Sequence, residues 1–398
     1  MKNSRTIVGV ATAMVAALSM AGGVAAASTA VVRPGDVGTN WLAGSRPGGA
    51  SAFVAGPATT LLGVGSLQFT TADGSASAQL FNQNYIGTPL ANIDALGYST
   101  YRASTSTNSP VQTIALALKV DVDGLKGAGR LATLIFEPVY QGGAIVTDTW
   151  QTWDAFQGGN AVWWSNTNLP NPSGPGHIAC NPNDPSCTDN LFVHLSSILN
   201  AFPQATIAGG VGLFVGSGWS GQFTGYGDAL KIGVGGNTTT YDFEPKAALT
   251  VTAPDVSRVV GLANPTFAPA YAGFQYGDTA AGLGTPPTCA TTATADSPIA
   301  TYPITCSGGV SANYDISYVP GTLHVTAAAT TAAPSVGPTE AVGGVTAAPV
   351  GAVTPPPTSA DAASAGGGYT PLLALLICLT FGSLGLLSAT AQRRGIRR

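Results

Sequence analysis

The sequence predicts an all-β protein: a large jelly-roll-like β-sandwich over residues 31–245, followed by a small β-rich module over residues 247–326. Three observations predict this class. Apolar and polar residues alternate over 114–122, as in a strand with one buried face. The chain has 52 Gly and 28 Pro, which favour turns and interrupt helices. Charged residues make up only 9% of the chain, against about 25% in an average soluble domain, which argues against coiled coils and long helices.

Each element is justified by local pattern. Besides 114–122, β-prone segments between Gly, Asn and Asp clusters predict strands at 66–71, 98–104, 131–140, 205–215, 228–234 and 238–243. One helix is expected to start at Thr188 or Asp189 and to end before Pro203. Its apolar face would consist of Leu191, Leu195, Ile198, Leu199 and Phe202. The domain is large for one sandwich, so long loops are implied, above all 157–190.

The two ends of the chain predict export and anchoring. Residues 1–27 have a basic start, an apolar middle and a small-residue end, which is typical of a signal peptide. Residues 371–391 carry no charge and are long enough to cross a bilayer as one helix. The tail 392–398 contains four Arg and predicts a cytoplasmic C-terminus. A sortase sorting signal is the alternative, although no Leu-Pro-x-Thr-Gly motif precedes the apolar segment.

A linker joins the β-rich part to the predicted membrane helix. Residues 327–368 consist almost entirely of Ala, Thr, Pro, Gly, Val and Ser, with Glu340 and Asp361 as the only charges. Such a composition cannot bury a core, so disorder is expected.

Cysteine usage agrees with an exported chain. Cys378 lies in the predicted membrane helix, and four cysteines lie outside it. Proximity favours the disulfides Cys180–Cys187 and Cys289–Cys306 over the two other connectivities.

The small module carries a family resemblance. It contains Leu-Thr-Val-Thr-Ala at 249–253, Asn-Pro-Thr-Phe at 264–267, Tyr-Ala-Gly-Phe at 271–274, Gly-Asp-Thr at 277–279, Tyr-Pro-Ile at 302–304, Asn-Tyr at 313–314 and Tyr-Val-Pro-Gly-Thr-Leu-His-Val-Thr at 318–326. In order and spacing these motifs resemble the MBG domain, a small β-rich unit of bacterial surface proteins. Val260-Gly261 and the segment 299–301 depart from the usual pattern. The resemblance implies a stalk that displays the larger domain at a bacterial cell surface, without catalytic residues.

Catalytic motifs are scarce. No Gly-x-Ser-x-Gly elbow, His-Glu-x-x-His helix or Walker loop occurs in the sequence. A glycoside hydrolase with a sandwich fold would need two carboxylates close together on one face of a sheet. Two pairs have the required spacing of two residues along a strand: Asp121 with Asp123, and Asp242 with Glu244. Strand alternation explains both pairs as residues of a polar face. The sequence therefore predicts a non-enzyme, with a polysaccharide hydrolase as the weakest alternative.

Aromatic residues give the best binding signal. Five tryptophans of the large domain are candidate ligand-binding residues, because indole rings stack on sugars and anchor protein interfaces: Trp150, Trp153, Trp163, Trp164 and Trp219. Core packing is the alternative for each. Neighbours in a strand face opposite ways, so one residue of the Trp163–Trp164 pair is expected to be exposed.

No cofactor is required by the sequence, but calcium is left open. Oxygen-bearing side chains crowd the loop that the first predicted disulfide would close: Asn181, Asn183, Asp184 and Asp189. The same residues equally form a plain turn.

The predicted function is display and binding. Adhesion or ligand binding at the envelope is expected, with a cell-envelope or host glycan or protein as partner. A structural spacer without a ligand is the alternative. Nucleic acid is not an expected partner, since the net charge is −4 and no basic face is apparent.

Overall fold

The computed structural model describes residues 26–124, 130–216 and 218–329. The larger β domain contains β1 (Ala27–Val32), β2 (Trp41–Arg46), β3 (Gly49–Ala55), β4 (Gly65–Thr71), β5 (Ser77–Asn82), β6 (Ile93–Arg102), β7 (Ala115–Asp121), β8 (Leu131–Phe136), β9 (Trp150–Asp154), β10 (Val162–Ser165), β11 (Leu169–Pro170), β12 (His177–Ala179), β13 (Val193–His194), α1 (Leu195–Ala201), β14 (Thr206–Val215), β15 (Phe223–Val234) and β16 (Asn237–Phe243). The smaller one contains β17 (Ala247–Thr252), β18 (Val256–Val259), β19 (Ala270–Ala272), β20 (Thr288–Thr291), β21 (Thr301–Ser307), β22 (Tyr314–Val319) and β23 (Gly321–Thr326).

Several predicted segments fall outside this range. Residues 1–25 of the predicted signal peptide, the linker from 330 onward, the predicted membrane helix and the basic tail all lie outside the described residues. Within the described ranges, no helix is long and apolar enough to cross a membrane.

The larger domain is a β-sandwich of two seven-stranded sheets. Sheet A consists of β1, β3, β4, β6, β9, β15 and β16. Sheet B has the order β13-β10-β8-β7-β14-β5-β2. One apolar core takes side chains from both sheets, including Leu67 and Phe69 from sheet A and Leu116, Leu118 and Leu213 from sheet B. Burial of alternate residues of each strand explains why the alternating segments of the sequence form these strands.

The predicted helix is shorter than its apolar pattern suggests. It begins at Leu195, and the preceding Val193 and His194 form β13, which pairs with β10. The prediction of a start at Thr188 or Asp189 is therefore wrong. The tertiary structure explains the difference, because Val193 pairs with Trp163 of β10 and so belongs to a strand. No local pattern in the sequence indicates that pairing.

The smaller module is a second pair of sheets. A three-stranded sheet has the order β19-β17-β22, and a four-stranded sheet has the order β18-β23-β21-β20. Leu249, Val251, Ile304 and Leu323 fill the space between them. Cys289 of β20 faces Cys306 of β21 as a direct strand pair, and the two are joined in a disulfide, as predicted.

A polar network joins the sandwich to the module. Arg33, directly after β1, makes an ion pair of 2.6 Å with Asp278, whose carboxylate also accepts a bond from the Tyr314 hydroxyl at 2.8 Å. The backbone N–H of Gly35 donates to Asn313 at 2.8 Å. The Arg33 guanidinium also lies 5.2 Å from the Tyr276 ring centre, which adds a cation–π contact.

Arg33→Ala is expected to lower the free energy of unfolding by about 1 kcal/mol, because the ion pair is only partly shielded from water. Calorimetric melting measures this loss. Lys246→Ala is the matched control: its ion pair with Asp315 is longer, at 3.7 Å, and more exposed. The control is expected to change nothing measurable. Equal losses in the two variants would contradict the role assigned to Arg33.

Candidate functional site

The five candidate tryptophans do not form one surface. Trp150 and Trp153 lie on β9 of sheet A, whereas Trp163 and Trp164 lie on β10 of sheet B. Trp150 packs against Tyr101, with ring centres 5.7 Å apart, and Trp153 donates its indole N–H to Thr100 at 2.9 Å. The candidate ligand-binding residues are thus divided between the two sheets.

Two of the five are core residues. Trp163 has no exposed surface, packs against Phe136 and donates its indole N–H to the Ala155 carbonyl at 3.1 Å. Trp219 is 7% exposed and packs edge-on against Phe223. No ligand can stack on the ring of Trp163, so the sequence-based assignment of that residue to a binding surface is corrected. Its inward orientation follows from the strand alternation that turns Trp164 outward.

Trp164 is half-buried on the outer face of sheet B, at one end of a row that crosses the sheet. Strand pairing aligns Trp164 of β10 with Ile135 of β8, Ile135 with Ala117 of β7, Ala117 with Gly212 of β14, and Gly212 with Phe81 of β5. Cross-strand partners share a face. Ala117 and Gly212 at the centre of the row are buried, as are Ile135 and Phe81, so the row forms a small apolar cluster against which Trp164 packs.

A groove of about 580 Å³ lies beside this cluster, and we call it the sheet B groove. Loops raise its walls: Val111–Thr113 before β7, the turn with Pro138 and Tyr140 after β8, the disulfide loop at Asn181–Asn183, and Gly218 with Trp219 after β14. The disulfide Cys180–Cys187, predicted from the sequence and present, closes one of these walls. The volume lies in the range of small-molecule sites.

Polar side chains stand beside the aromatic ones in the groove. The Lys119 ammonium lies 4.1 Å from the centre of the Phe81 ring and 3.3 Å from the Gln79 side-chain oxygen. Burial lowers the pKa of Lys119 from its usual value. Phe214, half-buried, lies next to Gln79 through the pairing of β14 with β5. Phe81 itself is 1% exposed, so the groove offers the half-buried ring of Phe214 next to a cation and an amide.

Glu137 is the acidic group of the groove. Burial raises the pKa of Glu137 to about 7, and the nearby Trp164 indole offsets part of that rise. The indole nitrogen of Trp164 is buried, and its N–H group has no hydrogen-bond partner of full geometry. Glu137 thus changes protonation near neutral pH, inside the groove and close to the Trp164 indole.

The shift of Glu137 predicts a pH-dependent stability difference. A carboxyl group with a raised folded-state pKa stabilises the fold at low pH, and this contribution is lost as pH rises from about 4.5 to 7. Over that interval the unfolding free energy of wild type is expected to fall by about 2 kcal/mol relative to that of Glu137→Gln. This is less than the full pKa shift of Glu137 would give, because the carboxyl group keeps some contact with water. Urea unfolding of both proteins at pH 5 and pH 8 measures it. Parallel pH profiles would contradict the assignment.

A second pocket adjoins the groove. It measures about 620 Å³, and Lys119, Thr133 and Asn166 line both spaces. Its remaining lining is largely apolar and includes Ile86 and Leu131. The two spaces are therefore neighbours that share one border.

The predicted calcium residues do not converge on one point. Asp184 accepts bonds from Ser186 and from the Asn168 amide, which are the bonds of a turn. Asp189 instead faces His177, whose Nδ1 lies 3.0 Å from its carboxylate. His177, Asp189 and the two cysteine sulfurs lie within 4.8 Å of one another, but the sulfurs are held in a disulfide. Calcium binding here stays a prediction.

The two carboxylate pairs lie outside the groove. Asp121 is buried at the end of β7, while Asp242 and Glu244 are 7% and 2% exposed on the outer face of sheet A. Burial and the neighbouring carboxylates raise the pKa of Asp242 to about 7. From the sequence, these acidic residues were interpreted as the polar face of alternating strands. No feature of the sequence indicated that a loop covers the face on which Asp242 and Glu244 lie.

Sequence reasoning missed most groove residues. Phe81, Phe214 and Glu137 belong to segments recognised only as strands or not singled out at all. The available signal was the alternation in β7, which places Ala115, Ala117 and Lys119 on the face opposite to the core. Two alanines and one lysine on that face indicate a surface that is not fully solvated, and both alanines are in fact buried in an apolar cluster.

Comparison with known proteins identifies the smaller module. Residues 249–324 match the family described as the MBG domain, YGX type. The chain contains an MBG domain. This confirms the resemblance drawn from the motifs, and the matched residues run from the third residue of β17 into β23.

Other comparisons give little for the larger domain. No curated protein matches the chain. A solved structure described as "Structural basis for the promiscuous specificity of the carbohydrate-binding modules from the beta-sandwich super family" is 13% identical, with a TM-score of 0.26. The match covers 50% of this chain and 58% of that one, so the chain spans little more than half of that structure's length.

Proposed function

We propose that the sheet B groove binds carbohydrate, and that the chain displays this groove outside the cell. The observation that carries the proposal is the half-buried Trp164 ring, which lines the groove together with polar side chains. A sugar ring presents apolar C–H faces and a rim of hydroxyl groups. The groove offers matching partners for both.

The polar groups suit hydroxyl recognition. Gln79 and Asn166 each supply amide donors and acceptors, and Lys119 supplies a donor whose ammonium is already held over Phe81. Groups that are fixed before binding cost less entropy when a ligand arrives. The groove thus combines one stacking surface with several fixed hydrogen-bonding groups, the pattern of a specific small-ligand site.

The shared lining of the two pockets favours a chain of sugars over a single unit. Lys119, Thr133 and Asn166 connect the groove to the neighbouring pocket, so a bound chain would pass along sheet B. The lining residues that the structure describes include one carboxylate, Glu137, whereas glycoside hydrolysis uses two. Binding is therefore favoured over hydrolysis.

Display at the bacterial cell membrane completes the proposal. The sequence alone supports export by residues 1–27, a single-pass anchor at 371–391 and a flexible linker at 327–368. The MBG domain lies between the sandwich and the linker and would act as a spacer. Adhesion to an envelope or host glycan is the role we assign to this arrangement.

A glycan array tests the proposal. The full chain is purified in a detergent without a sugar headgroup, so that the detergent cannot occupy the groove. Wild type is expected to bind a defined set of oligosaccharides, and Trp164→Ala is expected to lose at least tenfold in affinity, the effect of removing a central aromatic contact.

Trp150→Ala is the matched control, because it removes a half-buried indole from the outer face of the other sheet. It is expected to keep the binding. Absence of any specific glycan, or equal losses in the two variants, would overturn the proposal and favour a spacer or a protein partner.

A further inference from the structure

Two cationic side chains line the sheet B groove. Lys119 lies on the outer face of β7, and Arg46 ends β2, where it pairs with Ser77 of β5. Cross-strand partners share a face, so Arg46 lies on the same face as Ser77, and Gln79 follows on that face two residues along β5. The Lys119 ammonium lies 3.3 Å from the Gln79 side-chain oxygen. Both cations therefore lie close to the same stretch of β5.

The Lys119 ammonium has no acidic partner among the residues that the structure describes. Its contacts are uncharged: the Gln79 oxygen and the Phe81 ring, whose centre is 4.1 Å away. The side chain is half-buried, and the loss of water around the ammonium lowers its pKa. The groove therefore holds a partly dehydrated positive charge that no described carboxylate compensates.

Glu137 is the one carboxylic acid among the described residues that line the groove. The groups that face it are the Tyr98 and Tyr140 hydroxyl groups and the Trp164 indole. All three stay uncharged near neutral pH, since burial raises the pKa of both tyrosines. Burial also raises the pKa of Glu137 to about 7, so its carboxyl group is mainly neutral in mildly acidic solution. Glu137 then cancels little of the positive charge in the groove.

The charge of the groove is opposite to that of the whole chain. The sequence contains 15 Lys and Arg against 19 Asp and Glu, a net charge of −4. The charged side chains that line the groove within the described residues are two basic ones, Arg46 and Lys119, and one acidic one, Glu137. A negatively charged ligand thus finds a local excess of positive charge in the groove.

We infer that the ligand of the groove is an anionic oligosaccharide, whose carboxylate or sulfate group pairs with the Lys119 ammonium. This inference rests on the proposed carbohydrate function and specifies the class of sugar. An anionic group would compensate the dehydrated charge of Lys119, and hydrogen bonds between charged partners are about twice as strong as those between neutral ones. Arg46 adds positive charge beside the same strand, β5. The amides of Gln79 and Asn166 are left to bind sugar hydroxyl groups.

Matched pairs of oligosaccharides test this inference. The full chain is purified as for the array, and affinities are measured by calorimetric titration at pH 6. One set contains oligogalacturonates and their methyl esters, and the other contains sulfated galactose oligosaccharides and their desulfated forms. At least one anionic member is expected to bind at least about tenfold more tightly than its neutral counterpart, since its anionic group gains a charge-assisted bond. The set that shows this preference identifies the anionic group.

Lys119→Met locates the anion site, because Met keeps an unbranched side chain without the charge. The preference for the anionic member is expected to fall to about twofold or less, whatever happens to the neutral one. Lys231→Met is the matched control: Lys231 is an exposed lysine of sheet A, and its replacement is expected to keep the full preference. Melting temperatures of the two variants show that both are folded.

The inference would be overturned if the neutral oligosaccharides bound as tightly as the anionic ones, or if Lys119→Met kept the preference. In either case the carbohydrate proposal would stand, because the groove would still bind sugar. Failure of every oligosaccharide, in this titration and on the array, would overturn the carbohydrate proposal and this inference with it.

Discussion

Trp163→Ala is expected to lower the free energy of unfolding of the sandwich by about 3–5 kcal/mol, the cost of emptying a buried aromatic site. The indole is fully buried, packs against Phe136 and satisfies the Ala155 carbonyl. The variant would lose the packing and leave that carbonyl without its donor. Since domains are stable by about 5–15 kcal/mol, much of the protein would unfold near physiological temperature.

The neighbouring tryptophan provides the matched comparison. Trp164→Ala removes the same side chain from the opposite face of β10, where the ring is only half-buried. It is expected to cost about 1 kcal/mol in stability, because surface-side truncations seldom cost more. Chemical denaturation of both variants measures the difference. Comparable losses would contradict the orientation assigned to β10.

Arg102→Ala is expected to lower the free energy of unfolding by about 3 kcal/mol, because it leaves the buried Asn108 carbonyl and several partly buried carbonyl groups without their donor. Arg102 is 3% exposed at the end of β6. Its guanidinium donates to the carbonyls of Gln112, Asn108, Ser109 and Ala103, and to the Asn108 side chain. Burial lowers the pKa of Arg102, and its charge is balanced by these carbonyl dipoles.

The loop that Arg102 holds is a wall of the groove. Val111, Gln112 and Thr113 line the groove, so Arg102 would also position one wall of the proposed binding site. Arg102→Lys keeps the charge but not the planar set of donors, and is expected to recover only part of the stability. Lys231→Ala, at an exposed site of sheet A, is the control and is expected to stay within about 0.5 kcal/mol of wild type. A loss below about 1 kcal/mol in Arg102→Ala would contradict this account.

Local pattern was sufficient to predict seven of the sixteen strands of the larger domain: β4, β6, β7, β8, β14, β15 and β16. The alternation over 114–122 corresponds to β7 at Ala115–Asp121, and the predictions at 66–71 and 238–243 agree with β4 and β16 to within one residue. These strands bury one face in the common core, so each sequence shows the period of two. The two disulfides were also predictable, since each joins cysteines close in sequence.

Long-range pairing was not predictable from one sequence. β1 pairs in parallel with β16, more than two hundred residues away, and no local feature of Ala27–Val32 indicates that partner. The same limit applies to the candidate site. Alternation indicated that Trp163 and Trp164 face opposite ways, but not which one faces the core, because both side chains are equally apolar. The covered carboxylates depend on a loop that ends at Gly65, distant in sequence from Asp242.

Hydrogen–deuterium exchange with a glycan identified on the array tests the central proposal most directly. At saturating glycan, peptides from β7, β8 and β10 and from the 111–113 wall are expected to exchange more slowly, because the ligand would cover the sheet B groove. Peptides from β9 and β15 of sheet A are expected to exchange at unchanged rates. Protection confined to sheet A, or to the MBG domain, would contradict the assignment of the groove as the binding site.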